Sequence, residues 1–171
     1  GVGASGKLLL YPDGQIQHAG VAVGSPDLVT HLGAGRDPAW LADGPGTGGF
    51  EVTALTAACM AVPTQLFQAV GGFDPDLAVS YNDVDLCLRL RRLGYRSVCT
   101  TDAALIHHES RTRGTDTVGA NRQRALRERD TLVSRWRALV REHDAYADRG
   151  ARPYPDPATG SSTPDRSVPD P

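Results

Sequence analysis

Gly71-Gly72-Phe73-Asp74, then Tyr81-Asn82-Asp83-Val84-Asp85-Leu86-Cys87-Leu88-Arg89, then His107-His108-Glu109-Ser110: these three pieces decide how the chain reads. The first ends a short apolar segment with two glycines, the residue that accepts the left-handed conformation of a helix stop. The second opens with an asparagine and two aspartates ahead of Val84, Cys87 and Leu88. Side-chain oxygens and carboxylates are favoured at such a start, because the first helical amides lack partners and the helix dipole is positive there. Asn82 is the predicted N-cap, with Asp85 three residues on as its capping-box partner. The helix should run to about Leu93, turn Val84, Cys87, Leu88 and Leu93 toward the core, and stop at Gly94. The third piece follows a short apolar run, residues 103–106. In this order the pieces predict carboxylates and an imidazole at the ends of neighbouring elements in one α/β layer. In open α/β sheets, ligands gather at the carboxyl ends of strands.

Working outward, residues 7–11 read as a strand. Pro12-Asp13-Gly14 is turn chemistry, and residues 16–23 resume as a second strand, so the pair predicts a hairpin. Residues 24–49, rich in Gly, Pro and Asp, predict a long surface loop. Residues 52–62 are almost wholly apolar and small, the pattern of a buried central strand. Thr64 is the expected N-cap of a short helix carrying Leu66, Phe67 and Val70 and ended by Gly71. Residues 96–100 predict a strand and residues 103–106 a short extended piece. Residues 121–142 predict an amphipathic helix with Ala125, Leu132, Val133, Trp136, Leu139 and Val140 on one side. Residues 146–171 turn to Pro, Ser, Asp and Gly and predict a disordered tail, which leaves residues 1–145 as the folded unit.

The 171 residues suffice for one domain with a real core. Eighteen Lys and Arg against 20 Asp and Glu give a net charge of −2, so no global field argues for nucleic acid. No apolar run in these residues is long enough for a bilayer, and no signal peptide is expected. Three scattered cysteines, Cys59, Cys87 and Cys99, with no CxxC pair, predict reduced core residues of a cytoplasmic protein. The chain begins with Gly1, and residues 7–11 already read as a strand, so a fragment of a longer protein is expected.

Asp83-Val84-Asp85 and Asp74-Pro75-Asp76 are both DxD strings, a spacing that can hold a divalent cation on an extended loop. At a helix start the competing reading is capping, which is stronger for Asp85. Asp83 sits in the first turn, where it can face a cleft. His107 and His108 follow a strand end; either can ligate a metal, and either can be an ordinary hydrogen-bonding histidine. His18 reads as a packed or edge-strand residue. Arg122, Arg127, Arg129, Arg135, Arg137 and Arg141 read as the solvated face of the last helix, with an anionic membrane or a phosphate as the sharper alternative. A metal-dependent hydrolase using Asp83, Asp85 and His107 would need all three to converge at about 2.0–2.6 Å on one ion.

Taken together, residues 7–21 (a hairpin with Gln17-His18-Ala19-Gly20), Thr56-Ala57-Ala58-Cys59, Val70-Gly71-Gly72-Phe73-Asp74, the Asn82-Asp83-Val84-Asp85 helix start, Gly94-Tyr95 and His107-His108-Glu109-Ser110 resemble the C-terminal half of a bacterial family 2 glycosyltransferase. Such enzymes are often rhamnosyltransferases or enzymes of cell-surface polysaccharide biosynthesis. The resemblance implies a partial GT-A fold: a Rossmann-like α/β sandwich with a mixed sheet, its N-terminal nucleotide-binding half missing. It implies inverting transfer from a nucleotide-sugar donor to a glycan or lipid-linked acceptor, with Mg²⁺ or Mn²⁺ as cofactor and the metal-binding DxD upstream of Gly1. Asp83 stands at the catalytic base, His107 (or His108) at a metal or diphosphate contact, and Gly72, Phe73, Asp74 and Asn82 on the acceptor side. The resemblance also implies a cytoplasmic location, with possible peripheral association at the inner face of the membrane. The alternative is a non-catalytic interaction or scaffold module that kept the half-fold.

Overall fold

In a computed structural model, residues 1–24, 28–108, 119–141, 144 and 152–153 are described. Glu109, Ser110 and nearly all of the predicted tail lie outside these residues. In chain order the elements are β1 (Val2–Leu10), β2 (Ile16–His18), β3 (Val21–Val23), β4 (Val29–His31), α1 (Trp40–Asp43), β5 (Gly49–Val52), β6 (Met60–Ala61), α2 (Thr64–Ala69), α3 (Asn82–Arg92), β7 (Arg96–Ile106), α4 (Gly119–Arg135) and β8 (Arg152–Pro153). Short 3-10 turns cover Ala57–Cys59, Pro75–Leu77 and Leu139–Arg141.

β1 and β7 form the spine. They run parallel, so Leu9 and Leu10 lie beside Leu105 and Ile106 and both strands deliver their carboxyl ends to one edge. β2 and β6 pair antiparallel with the other side of β1, and β5 pairs antiparallel with β7, giving the order β2-β1-β7-β5-β8 with β6 beside β1. β3 and β4 form a separate two-stranded ribbon, joined to the rest by a bridge from Val21 to Ala54. The architecture is α/β with a mixed sheet, compatible with part of a Rossmann-like fold. α3 presents Val84, Leu86, Cys87, Leu88 and Leu90 to a core that also holds Ala4, Leu8, Phe50 and Cys99. Burial pushes the Cys87 thiol up to about 11 and the Cys99 thiol up to about 12, so both are inert packing residues. Among the described residues no helix is long and apolar enough to cross a membrane.

The predicted hairpin forms, as β1 and β2. The predicted central strand over residues 52–62 does not. The Thr56 hydroxyl accepts from the Ala58 amide at 3.3 Å and turns the chain into the 3-10 segment, leaving β5 and β6 as short flanking strands. The expected loop 24–49 contains β4 and α1, and the two extended pieces around residue 100 are one strand, β7. α2 starts at Thr64 itself, with Pro63 as N-cap. The N-cap of α3 is Tyr81, not Asn82, and no side chain caps it. Leu93 is exposed rather than buried. Both predicted glycine stops are correct: Gly71 and Gly72 bond back to Gln68 and Phe67, and Gly94 and Tyr95 to Arg91 and Leu90, the paired Schellman pattern. Within the predicted tail, Arg152–Pro153 pairs with Phe50 and Glu51 of β5.

Gly20 shows how tightly the ribbon sits on the sheet. Its φ is +105°, and a Cβ there would lie 2.3 Å from Val52 Cγ1. Gly20→Ala combines left-handed strain with overpacking and should destabilise the fold by about 3 kcal/mol. Gly14 also has positive φ, at +88°, but opens on empty space. Gly14→Ala should cost only about 1 kcal/mol. Denaturant unfolding of the two variants checks this; equal losses would mean the Gly20 contact is not close.

Candidate active site

The carboxyl ends of β1 and β7, the 3-10 turn after Thr56 and the start of α3 enclose a cleft of ≈ 700 Å³. Asn82, Asp83, His107 and His108 all line it. The structure therefore brings together four of the residues singled out in the sequence. Gly72, Phe73 and Asp74 are not among them; they line a second, shallower hollow of ≈ 350 Å³ with Arg89, Arg135 and Trp136.

Asp83 is half-buried at the cleft wall. One carboxylate oxygen accepts from the Ala57 amide at 2.8 Å and the other from the Val84 amide at 2.8 Å. Two fixed backbone donors orient the group, and each oxygen keeps a further lone pair. Asp85, two residues on, has the opposite environment, with no exposure at all. Its carboxylate receives Arg89 Nε at 2.7 Å on one oxygen, and Arg135 Nη1 and Trp136 Nε1, both at 2.9 Å, on the other. Asp85 is thus neither a capping-box partner nor a metal ligand beside Asp83, and the hydrolase arrangement of Asp83, Asp85 and His107 is not formed. Helical geometry explains the split: residues two apart lie on different faces.

The loop that carries Tyr81 and Asn82 into the cleft is held from behind. Glu128 of α4 is 3% exposed and accepts from the amides of Val79 at 3.3 Å and Ser80 at 2.8 Å. Tyr81 has φ +66°, the only positive value outside glycine among the described residues. Left-handed backbone at a tyrosine costs about 1–2 kcal/mol and persists only where neighbours over-determine it. Arg135, read from sequence as solvated, instead bridges Asp85 and Asp74, the latter at 2.6 Å. The Asp76 amide and then Arg135 hold the Asp74 carboxyl below the usual carboxylate range. Arg89 donates to the carbonyls of Val70 and Gly72, the latter at 2.7 Å, and pins the glycine turn to α3. Phe73 packs edge-on against Phe67.

Among the described residues four histidines line the cleft: His18, His31, His107 and His108. His107 Nδ1 lies 2.7 Å from Gln17 Oε1, and its amide donates to the Leu10 carbonyl at 2.9 Å, in line with the parallel ladder. His18 is buried; its Nδ1 meets His31 Nδ1 at 3.2 Å and its Nε2 faces the Thr56 amide. The sequence missed His31, Gln17 and Glu128. Glu128 had a signal, since it lies four residues before Leu132 and eight before Trp136 on the buried stripe of α4. Gln17 had none, because strand alternation does not predict two adjacent buried polar residues; His18 is packed, as read from the sequence. Among the described residues no group of three His, Cys, Asp or Glu could hold a metal. The donor chemistry fits one metal ligand, His107, and not a complete site.

Burial, and secondarily His31, pull the His18 pKa down from 6.5 to about 3. Below pH 6.5 the unfolded chain takes up a proton that folded His18 refuses. The stability from neutral His18 is full above pH 6.5 and lost as pH falls toward about 3, at up to about 1.4 kcal/mol per pH unit. His18→Gln should flatten the fall in stability between about pH 6 and pH 4 by one proton's worth of slope. Denaturant unfolding across that window checks it; parallel slopes in both proteins would mean His18 titrates normally.

No protein-family profile matches the chain, and no solved structure matches it significantly. Curated relatives do. An uncharacterized protein y4gI of Sinorhizobium fredii is 39% identical over 161 residues, covering 90% of this chain and 16% of its own length. The O-antigen biosynthesis protein RfbC of Myxococcus xanthus is 41% identical over 125 residues, 68% of this chain and 9% of its own length. An N-acetylglucosaminyl-diphospho-decaprenol L-rhamnosyltransferase of Mycobacterium tuberculosis is 37% identical over 62 residues, 36% of this chain and 20% of its own length. The chain thus spans a fifth or less of the length of these relatives.

Proposed function

We propose that the cleft is the acceptor and leaving-group side of a glycosyltransferase site of the family 2, GT-A kind. In it a sugar passes from a nucleotide-sugar to an acceptor hydroxyl, with inversion, in polysaccharide biosynthesis. The observation that carries this is the convergence of Asp83, Asn82 and His107 at the carboxyl ends of two parallel strands. The names of two relatives, one in O-antigen biosynthesis and one a rhamnosyltransferase, support it.

Asp83 is the base. Its oxygens, fixed by the Ala57 and Val84 amides, accept the proton of the acceptor hydroxyl as that oxygen attacks the anomeric carbon. An ionised aspartate is a weak base, so its contribution is positional as much as basic. Asn82, beside it on the cleft wall, binds the acceptor through its amide. Gly72, Phe73 and Asp74 serve the acceptor side indirectly: Arg89 and Arg135 tie their turn to α3, which carries Asn82 and Asp83. His107 faces the donor diphosphate, with His108 beside it. A bound Mg²⁺ or Mn²⁺, with His107 as one ligand and the rest from outside this chain, would offset charge on the departing diphosphate. Such a protein works in the cytoplasm, at or near the inner face of the membrane.

The test uses an upstream-extended form of the chain. Radiolabel transfer from a panel of UDP- and dTDP-sugars to alkyl glycosides is measured alongside calorimetric binding of UDP and dTDP with Mn²⁺. Asp83→Asn should lower transfer by about 10²–10⁴-fold and leave nucleotide binding unchanged. Transfer at the wild-type rate would remove Asp83 from the role of base. Nucleotide binding by the short chain alone, equal to that of the extended form, would contradict the division into a donor half and an acceptor half.

A further inference from the structure

Gln17 stands between Ile16 and His18 on β2, a three-residue strand buried along its whole length. A primary amide 6% exposed must find partners inside the protein, and each end of the Gln17 amide meets His107. Its Nε2 donates to the His107 carbonyl at 3.4 Å, and its Oε1 meets His107 Nδ1 at 2.7 Å.

The carbonyl settles the orientation of the amide, because it can only accept. Nε2 must face it, so Oε1 must face the ring. A flipped amide would set two acceptor oxygens against each other. Oε1 is itself only an acceptor, so the proton of the neutral imidazole sits on Nδ1. Nε2 of His107 is left with its lone pair, and it has no partner among the described residues. The ring lines the cleft that also holds Asp83.

We infer that Gln17 is a positioning residue for His107: it locks the Nδ1–H tautomer and the ring plane, and so presents Nε2 to the cleft as a lone-pair donor. The acceptor so presented suits a divalent cation or an N–H or O–H of a ligand, and does not suit a bare phosphate oxygen. This is the outer-shell device by which proteins orient a ligating histidine, built here from an amide and a backbone carbonyl. The ligand class rests on the donor-side role proposed for His107; the tautomer does not.

The experiment is imidazole ¹⁵N NMR on the chain, read through the long-range couplings that distinguish the two neutral tautomers. Wild-type His107 should be Nδ1–H. Gln17→Leu should make Nε2–H the major form, and Gln17→Glu in its protonated form, which donates to the His107 carbonyl through one oxygen and accepts from the ring with the other, should restore Nδ1–H. Wild-type His107 found as Nε2–H, or an unchanged tautomer in a folded Gln17→Leu, overturns the inference. Should Gln17→Leu not fold, the wild-type spectrum decides alone. In the upstream-extended form, Gln17→Leu should weaken Mn²⁺-dependent UDP binding by about 10–100-fold. The donor-side role fails separately if His107→Ala leaves that binding unchanged while the tautomer result holds.

Discussion

The Asp85 carboxylate is the constraint around which the described structure is assembled. It has no solvent exposure and is held by Arg89 from its own helix and by Arg135 and Trp136 from the end of α4. A carboxylate left alone in a core is so costly that it would protonate or draw water in. α3 and α4 are therefore required together. The same two arginines reach further, Arg89 to the carbonyls of the glycine turn and Arg135 to Asp74. One buried charge thus fixes the relative placement of two helices and the turn before them. Removing one partner of such a set typically costs about 3–5 kcal/mol.

The cleft inherits its geometry from this arrangement. α4, docked by Arg135 and Trp136, brings Glu128 under the loop at Val79 and Ser80. That loop ends in the left-handed Tyr81, after which α3 begins and Asp83 emerges at the cleft wall. The parallel pairing of β1 and β7 delivers His107 to the same cleft, and Gln17 on β2 contacts its ring. Neighbouring aspartates in one helical turn so divide their labour. Asp85 holds the fold and Asp83 faces the space where chemistry is proposed.

Much of this was legible in the sequence wherever local physics is decisive. The hairpin, the helix stops at Gly71 and Gly94 and the span of α3 follow from turn chemistry and apolar spacing. Asp83 and His107 were legible as candidates from their place at element ends. What failed were choices that only tertiary contacts settle. The 52–62 run looked like a strand until the Thr56 hydroxyl found the Ala58 amide. Asp85 looked like a cap because its partners lie four and 50–51 residues away, and the distant pair cannot be read from local spacing. Arg135 looked solvated for the same reason. Gln17 and His31 had no periodic signature: Gln17 is buried on a strand whose three residues are all buried, and His31 is an exposed residue of a short ribbon strand that still lines the cleft.

The division between the two aspartates is the central claim, and thermal unfolding of Asp85→Asn and Asp83→Asn side by side tests it most directly. At about 2–4 °C per kcal/mol for a domain of this size, Asp85→Asn should lower the midpoint by about 10 °C or more. Asp83→Asn, which keeps one carbonyl oxygen for an amide donor, should stay within about 4 °C of wild type. A reversed order, or equal losses, would mean that Asp83 belongs to the structural core and that the cleft has been assigned to the wrong carboxylate.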